Sequence, residues 1–93
     1  MADAVVVRTT TGLVHSGPCQ LVGMIITSTA TTGGQAILDD STLGGGTQLL
    51  SVRAGAYAPV IALLREQYFV SFSTGMYLTM GANMVATLWV RQL

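Results

Sequence analysis

Short runs of alternating apolar and polar residues recur along the whole chain, separated by clusters of Gly, Ser, Thr and Asn. An alternation with a period of two predicts a half-buried β-strand, because successive side chains of a strand point to opposite faces. The clearest example lies near the C-terminus. One of its faces carries Met84, Ala86, Leu88 and Val90, and the other carries Val85, Thr87, Trp89 and Arg91.

The segment from Phe69 to Gln92 contains this strand and predicts two more before it, joined by tight turns at 73–75 and 81–83. Both turns suit their residues, because Gly accepts positive φ freely and Asn tolerates the left-handed region. Three strands joined in this way predict a β-meander with one face toward the core. Its second face would expose Trp89 and Tyr77, so we expect something to cover them.

The longest predicted strand is Cys19 to Thr27, which is apolar on both faces. Strict alternation places Cys19, Leu21 and Ile25 on one face and Val22, Met24 and Ile26 on the other. A strand that is apolar on both faces is covered on both sides. We therefore expect a second sheet or another subunit to cover it.

Other strands are predicted from shorter apolar runs bounded by turn residues, namely Ala4–Arg8, Leu13–His15, Gln35–Asp39 and Gln48–Arg53. Val60 to Gln67 fits two interpretations. Pro59 could open a helix with Val60, Leu63 and Leu64 on one face. A strand is favoured instead, because the segment is short and its neighbours are strands.

The count is seven to nine strands in 93 residues, at a spacing of about ten residues, with glycine-rich turns between them. This pattern predicts a single domain over residues 1–93 of the all-β class. We expect a small antiparallel β-sandwich with jelly-roll-like connections, although a small barrel has the same sequence pattern.

Composition points to association. The chain is 51% apolar and 9% charged, against roughly 25% charged in an average soluble domain. It has no lysine, and its four arginines balance four acidic residues to give a formal net charge of zero. A neutral surface poor in charge favours association between copies. Four scattered arginines are too few for a nucleic-acid partner.

No membrane partner is expected, since no segment reaches the roughly 18 consecutive apolar residues that a span needs. The N-terminal residues lack the basic start and apolar core of a signal peptide. We therefore expect synthesis in a cytoplasm.

Candidates for chemistry are few, and we expect neither an enzyme nor a bound cofactor or metal. Asp39 and Asp40 are adjacent, so a strand would point them to opposite faces, and they fit a strand end and an Asx-type turn. His15 has no acidic partner at a recognisable spacing, and Cys19 is read as a small core residue. Gly44 to Gly46 lacks the lysine of a phosphate loop.

The remaining candidates are apolar and aromatic side chains on strand faces, which can anchor a protein interface or stack on sugars. The chain contains more apolar side chains than a two-layer domain of this size can bury alone. The candidate interface residues are Trp89, Tyr77, Val22, Met24, Ile26 and Arg91.

Three segments share an order of features with a known family. They are 17–27 (GPCQLVGMIIT), 34–45 (GQAILDD, later GG) and 72–78 (FSTGMYL). A strand, a turn that carries Asp, and a Phe-Ser-Thr-Gly-hydrophobic-Tyr step before a closing strand follow one another. In this the chain resembles small β-sandwich virion proteins of tailed bacteriophages, several of which decorate or cement capsids. The resemblance covers nearly the whole chain and carries no catalytic residue.

The resemblance implies a phage structural protein on the capsid exterior that oligomerises and stabilises the shell through apolar contacts. Its partners would be the major capsid protein and further copies of itself, with a trimer favoured by capsid three-fold positions. The alternatives are a carbohydrate-binding module of a fibre or lectin, with Trp89 or Tyr77 as the stacking platform, and a tail or baseplate adaptor.

Overall fold

The computed structural model describes residues 3–29, 33–55, 57, 59–63 and 69–93. These residues contain nine β-strands and no helix. The strands are β1 (Ala4–Arg8), β2 (Gly12–Ser16), β3 (Cys19–Ser28), β4 (Gly34–Asp40), β5 (Thr47–Ala54), β6 (Pro59–Leu63), β7 (Val70–Phe72), β8 (Gly75–Met80) and β9 (Met84–Gln92). The prediction of seven to nine strands is confirmed.

The strands form two antiparallel sheets. Sheet A has the order β1-β9-β3-β6, and β7 also pairs with β3 in this sheet. Sheet B has the order β2-β8-β4-β5. The two sheets enclose one core between them, so the predicted antiparallel β-sandwich is confirmed.

The pairing partners are nested along the chain. β1 pairs with β9, β2 with β8, β3 with β6 and β7, and β4 with β5. The chain is therefore one long antiparallel ribbon, rolled so that successive pairs fall alternately in the two sheets. β6 and β7 pair with successive parts of β3 and together take the place of one strand. What results is the eight-strand, double-sheet arrangement of a jelly roll.

The predicted β-meander between Phe69 and Gln92 is wrong. β7 and β9 belong to sheet A and β8 to sheet B, so none of these three consecutive strands pairs with the next. The turns at 73–75 and 81–83 cross between the sheets instead of closing hairpins. Asn83 does adopt the left-handed conformation expected for its turn, with φ of 61°.

A β-bulge in β3 changes which of its side chains face the core. Leu21 pairs with Val90 and Gly23 pairs with Trp89, which leaves Val22 as an extra residue in β3. An extra residue shifts the alternation by one position. Before the bulge the odd-numbered Leu21 is buried, and after it the even-numbered Met24 and Ile26 are buried.

The core consists of apolar side chains from both sheets. Sheet A contributes Cys19, Leu21, Met24, Ile26, Phe72, Met84, Ala86, Leu88 and Val90, and sheet B contributes Ala36, Leu38, Ala54, Met76 and Leu78. The predicted core face of β9 is confirmed. Cys19 is also a core residue, as predicted.

The region with two interpretations is a strand where the structure describes it. β6 begins at Pro59 and pairs with β3 through five residues, with Ile61 opposite Ile25 and Val60 opposite Ile26. The helix interpretation is wrong for this part. Residues 64–67 lie outside the described residues.

Candidate functional site

The outer face of sheet A, the one turned away from the core, is unusually apolar. One row crosses four strands through Val7, Thr87, Ile25 and Ile61, which occupy paired positions on β1, β9, β3 and β6. We call six large apolar residues that the structure describes on this surface the apolar face: Val5, Val7, Ile25, Ile61, Val85 and Trp89.

The apolar face is open at both lateral edges. Val5 and Val7 on β1 are 57% and 60% exposed, and Ile61 on β6 is 61% exposed. Single exposed apolar side chains are ordinary on a protein surface, whereas a continuous patch of them marks an interaction site. This patch is continuous because strand pairing brings its residues into adjacent positions.

Trp89 is the largest side chain of the apolar face. It alternates with the buried Leu88 and Val90, so its half-buried ring points outward. Its paired neighbours are Val5 on one side and Gly23 on the other. Gly23 is buried although it has no side chain of its own.

The charged side chains that the structure describes on this surface lie at one end of it. Among the described residues of the outer face of sheet A, the charged side chains are Asp3 and Arg91, and they form an ion pair with 2.9 Å between Nε and Oδ1. The Arg91 guanidinium also lies 5.2 Å from the centroid of the Phe69 ring. A partner that binds the apolar face therefore contacts apolar side chains, and the charges of Asp3 and Arg91 beside them neutralise each other.

The six residues predicted as an interface are not brought together. Trp89 and Arg91 lie on the outer face of sheet A, and Val22 is the half-buried bulge residue of the same sheet. Met24 and Ile26 are 1% and 0% exposed, so placing them on an outer face was wrong. The reason is the bulge at Val22, which turns both side chains into the core.

Tyr77 lies on the outer face of the other sheet and is partly covered. The β4–β5 loop passes over it, and a Cβ built on Gly44 would stand 3.0 Å from the Tyr77 Cε1 atom. Gly44 also has a φ of 85°, which few other residues adopt. Because the loop lies against the ring, Tyr77 offers little of a flat stacking surface.

Sequence reasoning missed most of the apolar face. Val85 was placed on the same face of its strand as Trp89, but Val5, Val7, Ile25 and Ile61 were assigned to strands and not to a common surface. The Ala-Val-Val-Val-Arg run of β1 was the available signal, since three consecutive valines leave an apolar side chain on each face. The sequence did not show which strands would lie beside it.

The adjacent carboxylates point to opposite faces of β4, as predicted. Asp40 ties the β7–β8 turn to the end of β4: its Oδ1 accepts hydrogen bonds from the N–H groups of Thr74 (2.8 Å) and Gly75 (3.3 Å), and its Oδ2 accepts one from Ser73 Oγ (2.8 Å). The predicted Asx-type turn is replaced by a turn around Ser41, whose Oγ accepts from the N–H groups of Leu43 and Gly44.

Asp39 is 5% exposed under the β4–β5 loop. Its Oδ2 accepts a hydrogen bond from the Gly45 N–H at 3.2 Å, and its Oδ1 has no partner among the described residues. The described residues contain no group of three or more His, Cys, Asp or Glu side chains that could hold a metal ion. Asp39 is therefore a loop anchor in this fold.

These contacts make Asp40 a titrating link between the end of β4 and the β7–β8 turn. The hydrogen bonds from the Thr74 N–H and the Ser73 hydroxyl lower the Asp40 pKa from 3.8 to about 2. A lowered pKa means that the charged form is favoured in the folded state, so this contribution to stability is present above about pH 4 and is lost as pH falls toward about 2.

We expect Asp40→Asn to be less stable than the wild type near neutral pH, with a difference that shrinks as pH falls from about 4 to about 2. Denaturant unfolding of both proteins over that pH range measures the difference. A difference independent of pH would show that the charge of Asp40 makes no contribution.

The remaining candidates for chemistry have structural positions. Cys19 is fully buried, and burial, followed by the nearby negative charge of Asp40, raises the pKa of its thiol to about 11. His15 is half-buried in edge strand β2. No pocket is found among the described residues. No helix long and apolar enough to cross a membrane occurs in the described part of the chain.

Comparison with protein-family models, curated proteins and solved structures finds no match to this chain. The apolar face, its register and its charge distribution are thus the observations on which a function can be proposed.

Proposed function

We propose that this chain is a non-enzymatic structural protein that binds the exterior of a phage capsid through its apolar face and oligomerises there. The apolar face itself is the supporting observation, because it presents exposed β-branched side chains and a half-buried tryptophan on one sheet. The resemblance to phage virion proteins supplies the partner, the major capsid protein, and the virion location.

The size of the apolar face fits a role in a repeated lattice. Four strands about 4.8 Å apart and three rows of outward side chains about 6.6 Å apart span roughly 400 Å². A stable interface between two proteins buries about 800 Å² on each partner. One such contact is therefore weak, and many copies at symmetric positions, linked to one another, accumulate avidity.

The trimeric state of the proposed oligomer rests on the resemblance alone. The physical argument is more general. A charge-poor surface with a continuous apolar patch favours association, whether about a two-fold or a three-fold axis. Light scattering measures the mass of the oligomer and so distinguishes a dimer from a trimer.

Binding to capsids that lack the protein tests the proposal with a matched pair of variants. Isoleucine and leucine side chains are isomers of equal size. Ile61 is 61% exposed and Leu43 is 88% exposed, but only Ile61 belongs to the apolar face. Ile61→Asp would bury an unpaired charge in the contact, so we expect a loss of about 2 kcal/mol or more, a weakening of roughly thirtyfold. Leu43→Asp should bind like the wild type.

Trp89→Ala should weaken the same binding by about 2 kcal/mol, as expected for a large aromatic anchor in an interface. Wild-type binding should change little between low and high salt, because charge screening acts on ionic contacts and the apolar face has none at its centre. Co-sedimentation with capsids measures both effects, and thermal unfolding of each variant checks that it is folded.

Equal binding by Ile61→Asp and Leu43→Asp would exclude the apolar face as the docking surface. No affinity for capsids would exclude the capsid role. Binding to isolated tails in that case would indicate an adaptor, and saccharide binding on a glycan array would indicate a carbohydrate-binding module.

A further inference from the structure

The two sheets have four lateral edges, formed by β1, by β6 with β7, by β2 and by β5. An edge strand exposes unpaired backbone N–H and C=O groups, and proteins usually protect such edges with bulges, prolines, charges or interruptions. The presence or absence of this protection shows which edge is suited to pair with another chain.

Three of the four edges are protected. In β2 the register with β8 shifts between Leu13 and His15, so this edge carries a bulge. In β5 the register with β4 also shifts, and Arg53 lies on the strand. The third edge begins with Pro59, which has no N–H to donate, and it is divided between β6 and β7.

The β1 edge is the least protected of the four. Its five residues pair with β9 in an unbroken register, from Ala4 opposite Val90 to Arg8 opposite Ala86. It contains no proline. Arg8, its one charged residue, lies at the last position and shares the inward-facing side of the strand with Val6. Its guanidinium lies close to Gly12 of the neighbouring sheet.

We propose that two copies of this chain pair through their β1 edges, antiparallel about a two-fold axis at Val6. A strand that pairs with itself about a two-fold axis is necessarily antiparallel. In this register each copy's Val5 lies opposite the partner's Val7 on the outer side, and each Val6 lies opposite the partner's Val6. Two five-stranded sheets then become one continuous sheet.

The apolar face gives this pairing its second support, because Val5 and Val7 are more than half exposed at the edge itself. Pairing there joins the two apolar faces into one surface. By strand spacing the joined surface covers roughly 800 Å², twice that of one copy. This is the area that a stable contact with one further partner needs, whereas a single face falls short of it.

Charge does not oppose the pairing. In the proposed register Arg8 of one copy lies opposite Ala4 of the other, so no like charges face each other across the new strand pair. Asp3 is neutralised by Arg91 of its own copy, 2.9 Å away. The pairing does not rest on the capsid role, and it predicts a dimer where the resemblance implies a trimer.

Cysteine cross-linking tests the register directly. Directly opposite residues of an antiparallel pair have Cα atoms about 4.5–5.5 Å apart, within the range of a disulfide. Diagonal neighbours are about 7–8 Å apart, which is too far. Val6→Cys should therefore form a covalent dimer in a glutathione redox buffer about tenfold faster than Val5→Cys, although Val5 is the more exposed residue.

The double variant Val5→Cys/Val7→Cys provides an independent check on the outer side of the sheet, since each new cysteine would lie opposite the partner's other one. It should also form a dimer rapidly. The native Cys19 is fully buried, and peptide mapping confirms which cysteines are joined. Circular dichroism of each variant before oxidation shows whether it is folded.

Equal rates for Val6→Cys and Val5→Cys would overturn the proposed register. Light scattering of the wild-type protein should give twice the monomer mass, and a monomer or a trimer would overturn the two-fold pairing. Because capsid binding by the apolar face is measured separately, failure of the pairing leaves that proposal standing, and failure of capsid binding leaves the pairing standing.

Discussion

Replacing Ile26 by Ala is expected to lower the free energy of unfolding by about 2–5 kcal/mol, because the isoleucine is fully buried and its truncation leaves a cavity. The total stability of a domain is about 5–15 kcal/mol, so this change removes a large share of it. Guanidinium denaturation measures the loss. The melting temperature should fall by about 4–8 °C for each kcal/mol.

Ile61→Ala is the matched control, since it makes the same substitution on the neighbouring strand of the same sheet. Ile61 lies on the apolar face and is 61% exposed, so we expect a change in stability within about 0.5 kcal/mol. Its effect should appear in binding instead. Equal destabilisation by the two substitutions would contradict the assignment of Ile26 to the core and Ile61 to the surface.

Replacing Gly75 by Ala is expected to lower the free energy of unfolding by about 1–3 kcal/mol, because the site has no room for a methyl group. An added Cβ would stand 2.9 Å from the carbonyl oxygen of His15 and 2.9 Å from the methyl group of Thr42. The Gly75 backbone cannot move away freely, since its carbonyl accepts a hydrogen bond from the Ser41 N–H at 3.1 Å.

Gly81→Ala is the control in the other turn of the C-terminal segment. The nearest atom to an added Cβ there is the Met84 Sδ at 3.7 Å, an ordinary contact. We expect this change to be neutral, within about 0.5 kcal/mol. Urea unfolding of both variants makes the comparison, and a neutral Gly75→Ala would show that Gly75 is not tightly packed against His15 and Thr42.

Local sequence determined most of the strands of this protein, because period-two patterning and turn residues act within a few positions. The nine strands lie close to where apolar runs and glycine-rich breaks placed them. The two faces of β9 were also predicted, since the strand from Met84 to Arg91 has no bulge and its alternation is uninterrupted. The opposite directions of Asp39 and Asp40 follow from the same rule.

The tertiary structure decided everything that depends on which strands are neighbours. The three C-terminal strands were expected to pair with one another, but each pairs with distant segments because the whole ribbon is rolled. The bulge at Val22 moved Met24 and Ile26 into the core, since one extra residue reverses the alternation after it. The apolar face exists because register aligns Val7, Ile25 and Ile61 from three separate parts of the chain. The alternation within a strand determines to which face of the sheet each side chain points. Only the pairing between strands determines which of these side chains lie side by side and form a surface.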